Sequence, residues 1–97
     1  MDDQHLFDEL LRVAEVLGVG VRVEPFETPA AAGGGSCILR GERLILIDRT
    51  APLRERIAAL AGALAELQTE ALFMIPEARA LVEAMKGSRS GGRRLTA

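Results

Sequence analysis

The chain has 97 residues, of which 48% are hydrophobic and 27% charged, which fits one globular core and excludes a disordered or collagen-like polymer. No apolar run approaches the ~18 to 20 residues a membrane-spanning helix needs. The net charge of −2 conceals a gradient: residues 1–27 carry seven acids against two bases, residues 28–86 carry seven of each, and residues 87–97 carry three arginines.

The opening MDDQH is acidic where a secretory leader would be basic and then apolar, so export is not expected and a cytoplasmic address is. From Asp3 to Leu17, the residues Leu6, Leu10, Val13, Ala14 and Leu17 recur at helical spacing, and Gly18 is placed to end the helix. Val19, Val21 and Val23 then alternate with Gly20, Arg22 and Glu24, the period of two of a half-buried strand stopped by Pro25. Residues 27–36, ETPAAAGGGS, read as a flexible Gly-rich connector.

Cys37 to Asp48 carries the clearest pattern, two apolar runs on either side of Arg40-Gly41-Glu42-Arg43. Gly41 supplies the positive φ of a two-residue type II′ turn, so a β-hairpin is expected with Leu39 opposite Leu44 and Ile38 opposite Ile45. That register puts Cys37, Leu39, Leu44 and Leu46 on one face and Ile38, Ile45 and Ile47 on the other. Both faces are largely apolar, so either helices cover both or a second chain covers one.

Asp48 and Thr50 are capping residue types ahead of Pro52, and Leu53, Ile57, Leu60, Leu64 and Leu67 follow at helical spacing. Gly62 within that run reads as a site of close packing. Pro76 opens a last helix with Ala78, Leu81, Val82 and Met85 on one stripe and Gly87 as its stop. Residues 88–97, SRSGGRRLTA, have no periodicity and read as a basic flexible tail. The expected fold is therefore α+β, one domain over residues 1–87, with a three-stranded, mainly antiparallel sheet (a strand plus a β-hairpin) packed with three helices in the order α-β-β-β-α-α. Its expected core is Val21, Val23, Leu39, Leu44, Leu46, Ile57, Leu60, Leu64, Leu81 and Val82.

The hairpin and its following helix, LILIDRTAPLRERIAALAGALAEL, resemble the segment that carries the active-site helix of ImmA/IrrE-type zinc peptidases. In that family the helix bears His-Glu-x-x-His, two histidines one turn apart on a metal and a glutamate that activates water. The matching positions here are Gly62, Ala63 and Glu66, so the resemblance implies a degenerate, non-catalytic scaffold that binds a peptide or partner at a sheet edge.

Other chemistry-bearing residues are sparse. His5, the one histidine, stands beside Asp2, Asp3 and Asp8 at a helix start and reads as solvated surface. Cys37, the one cysteine, excludes an intrachain disulfide and reads as a small buried hydrophobe. The glycine run feeds a strand rather than a helix, unlike a phosphate-binding loop. Glu66, Glu70, Glu77 and Glu83 read as solvent-facing helix positions. The three aromatics, Phe7, Phe26 and Phe73, are too few for stacking on nucleic-acid bases. Arg89, Arg93 and Arg94 are candidate contacts to an acidic partner or, less in keeping with the acidic N-terminal third, to nucleic acid. No cofactor or metal is expected. The leading functional expectation is a non-enzymatic protein-interaction or adaptor domain that forms a homo-oligomer; the alternatives are the degenerate peptidase-like scaffold and a nucleic-acid accessory protein that uses its basic tail.

Overall fold

A computed structural model describes residues 2–26 and 33–96, with side chains described as far as Gly87. The elements run α1 (Asp3–Val16), β1 (Gly20–Glu24), β2 (Gly34–Leu39), β3 (Glu42–Asp48), α2 (Leu53–Leu64) and α3 (Pro76–Thr96). This is the expected α+β order with three helices and a three-stranded sheet.

The sheet is mixed rather than mainly antiparallel, in the order β1-β3-β2. β3 pairs antiparallel with β2 and parallel with β1. Its run Leu44-Ile45-Leu46-Ile47 is apolar on both faces and takes the centre, whereas β1, with Arg22 and Glu24, takes an edge where charge stays hydrated.

Local chemistry sets the element ends. Asp2 caps α1 by accepting from the His5 N–H at 2.7 Å, and Gly18, at φ +76°, ends it in the left-handed conformation. Pro52 precedes α2 with no side-chain cap. Asp48 instead accepts from the Thr50 hydroxyl at 2.7 Å and from the N–H groups of Thr50 and Phe26, which ties the exit of β3 to the exit of β1. These bonds, the Thr50 hydroxyl first, hold its carboxyl below the usual carboxylate range.

α2 stops at Leu64, one turn before Leu67. α3 does not stop at Gly87. That glycine is absent from the residues of positive φ, so the helical ladder runs on and the backbone is helical to Thr96. The expected connector over residues 27–36 is also revised: 27–32 lie outside the described residues, and Gly34–Ser36 pair with Ile47, Leu46 and Ile45 as the first half of β2.

The core lies between one face of the sheet and the helices. Phe7, Leu10, Val13 and Ala14 from α1 meet Ile45 and Ile47 from β3 and Ile57, Leu60, Ala61 and Leu64 from α2. Ala78 and Val82 of α3 close the far side, where α3 packs on α2 and α1. The expected core residues on the opposite sheet face are not in it: Leu39 is 52% exposed, and Leu44 and Leu46 are only half-buried, while Val23, which shares the face of its partner Ile47, is exposed on the edge strand β1. Ile45 and Ile47 take their place because all the helices gather on one side.

Candidate interaction surface

The open side of the sheet follows from its register. Gly20, Leu44 and Cys37 form one row across the three strands, Arg22, Leu46 and Gly35 the next, and Glu24 and Asp48 lie beyond. At the hairpin end, Leu39 pairs with Glu42. Leu39, Leu44, Leu46 and Cys37 thus form a continuous apolar strip, flanked by two glycines and edged by Arg22, Glu24 and Glu42. Cys37 is exposed here, not buried, because no described helix packs over this face. Towards the hairpin end the strip falls into a depression of about 380 Å³ lined in part by Gly18, Gly20, Leu39 and Leu44.

The hairpin closes differently from the expectation. Arg40 and Gly41, at φ +53° and +82°, form the two-residue loop, and Leu39 pairs with Glu42, Ile38 with Arg43 and Cys37 with Leu44. Positive φ at both central residues marks a type I′ turn rather than type II′. The shift is one pair along the ladder, so the facing of every side chain is as expected.

The two sheet edges are unlike. β1 carries Arg22 and Glu24 and is followed by Pro25, features that discourage further strand addition. β2, Gly-Gly-Ser-Cys-Ile-Leu, has no charge and no proline, and no described strand pairs with its outer side. The Asp48 N–H donates to the Gly33 carbonyl at 2.9 Å. Alternation along an antiparallel pair then turns the backbone groups of Gly35, Cys37 and Leu39 towards β3 and those of Ser36 and Ile38 outwards.

α2 runs beside β2. A Cβ on Gly33 would lie 2.2 Å from the Glu55 carbonyl oxygen, and one on Gly34 would lie 2.0 Å from the Leu46 carbonyl oxygen, so both glycines are required by close backbone approach. At the other end, Glu66 accepts from Arg43 at 3.1 Å and from the Ser36 hydroxyl at 3.4 Å. Between those contacts the same side of the helix presents Ala59 and Gly62, both small, so no large α2 side chain rises over the β2 edge there.

The remaining candidates do not converge. His5 is exposed at the start of α1, and among the described residues no three His, Cys, Asp or Glu side chains gather around a point that could hold an ion. Glu66, Glu70, Glu77 and Glu83 are exposed, but Glu66 ties α2 to the hairpin and Glu70 pairs with Lys86 at 2.8 Å, which lowers the carboxyl's pKa and raises the ammonium's. The side chains of Arg89, Arg93 and Arg94 lie outside the described residues. Gly62 and Ala63 sit within α2 and Glu66 just beyond it. No helix among the described residues is long and apolar enough to cross a membrane. No family model, curated protein or solved structure matches the chain.

Proposed function

We propose that this chain is a small non-enzymatic protein-interaction domain, an adaptor that self-associates and offers its bare sheet face to a protein partner. The observation that supports it is the one-sided packing: helices cover Ile45 and Ile47, while Cys37, Leu39, Leu44 and Leu46 face outwards on the other side. An apolar strip rimmed by charge is the usual form of a protein contact surface.

Light scattering across a dilution series tests the reading. A mass of twice the chain, falling towards one chain on dilution, is the expected result. A single-chain mass at every concentration would contradict self-association. A second reading, in which a scaffold of the peptidase-like kind accepts an added strand, draws support from the bare outer edge of β2.

A further inference from the structure

We propose that two copies join through the outer edges of β2, antiparallel about a two-fold axis at Cys37, so that their open faces merge into one six-stranded sheet. This rests on the reading of the chain as a self-associating domain and specifies where the copies meet.

The backbone selects the register. β2 is bounded by left-handed residues, Gly34 at φ +135° and Arg40 at φ +53°, which leaves residues 35–39 as its regularly extended stretch. A five-residue strand laid antiparallel on its own copy is centred on its middle residue, here Cys37. Ser36 and Ile38 carry the outward N–H and C=O groups, so Ser36 of each copy exchanges hydrogen bonds with Ile38 of the other. Cys37 then falls at the intervening pair without hydrogen bonds, where opposed Cα atoms approach to about 4.5 Å.

The side chains agree with this register. Ile38, 62% exposed, comes to lie across from Ser36, and Leu39, 52% exposed, from Gly35, so each large exposed apolar group meets a small partner. Charge favours the antiparallel arrangement. The hairpin end of β2 carries Arg40, whereas the opposite end lies against the first turn of α2, where Glu55 is exposed. Its neighbours Arg54 and Arg56 are engaged elsewhere, Arg54 with Asp3 of α1 and Arg56 with the Ala51 carbonyl and the Phe7 ring. An antiparallel pair brings Arg40 of each copy to the Glu55 end of the other, and a parallel pair would set Arg40 against Arg40. The small residues Ala59 and Gly62 leave room beside the edge for the second strand. The charged β1 edge offers none of these features.

The test is disulfide trapping on the full chain with diamide, which takes up the two thiol hydrogens and two electrons as the S–S bond forms. Opposed cysteines at this spacing are within disulfide reach. The native chain is expected to convert to covalent dimer through Cys37, and the double variant Cys37→Ser, Leu44→Cys, which moves the thiol to the central strand of the same face, is not. Ile38→Lys, at an exposed position that leaves the core intact, is expected to weaken the dimer by about tenfold or more, as lysine does on edge strands. A dimer that is trapped through Leu44→Cys but not Cys37, and is indifferent to Ile38→Lys, would overturn the edge contact while leaving self-association standing, because the copies would then meet face to face. A monomer at all concentrations would overturn both.

Discussion

Gly62 sits in the interior of α2 where an added Cβ would meet nothing within 4 Å, so its presence is not explained by close packing within the chain. Gly62→Ala is expected to raise stability by about 0.5–1 kcal/mol, read from the urea midpoint, through lower backbone entropy of the unfolded state and higher helix propensity. A rise in stability accompanied by unchanged dimer affinity would show that the edge beside it tolerates a methyl group. Gly34→Ala has the opposite sign: left-handed φ and the Leu46 carbonyl oxygen in the way are expected to cost about 2 kcal/mol or more in the same measurement. Composition alone does not separate these cases. Gly33-Gly34-Gly35 reads as a connector because glycine serves equally where a chain must bend freely and where two backbones must nearly touch, and only the neighbours Glu55 and Leu46, distant in sequence, decide between them.

At the scale of elements, the contact between α1 and the start of α3 depends on one carboxylate. Glu9 accepts from Arg12 at 2.8 and 2.9 Å and from the Ile75 N–H at 3.0 Å, while Arg12 also donates to the Phe73 carbonyl. The Arg12 hydrogen bonds, opposed in part by burial, hold the Glu9 carboxyl at about 2 against its ordinary 4.5. A pKa lowered by folding stabilises the fold above the unfolded value and loses that contribution as pH falls towards the folded one. Stability is therefore expected to drop between pH 4.5 and 2 more steeply in the native chain than in Glu9→Gln. At pH 7 the variant is expected to be less stable by about 1–3 kcal/mol in urea unfolding. Leu60→Ala, at a fully buried α2 position, is expected to cost about 2–5 kcal/mol. The hairpin shows how far patterning carries at this scale. Its two strands and the facing of Leu44 to Ile47 are legible in the sequence, but turns at Arg40-Gly41 and at Gly41-Glu42 leave every side chain on the same face. Hydrophobicity is silent between them. The choice fits contacts at the far end, where Gly33 receives the Asp48 N–H and Gly34 lies against Leu46.

For the whole molecule, the number, order and class of elements were readable from periodicity, while the side of the sheet that became the core was not. Leu39, Leu44 and Leu46 are as apolar as Ile45 and Ile47, and a strand apolar on both faces does not record where its helices dock. That depends on the two crossings of the chain, from α1 into β1 and from β3 into α2, which bring both helices to the same side. The consequence is an exposed Cys37 on an open face, where the sequence suggests a buried thiol.

The rate at which Cys37 reacts with a small aromatic disulfide, in chain diluted until it scatters as a monomer, tests this one-sided packing most directly. Reaction within about tenfold of the rate in denaturant is expected for a thiol that no helix covers. Protection by about a hundredfold or more under the same conditions would mean that the chain itself closes over the face, and the open apolar strip would not exist.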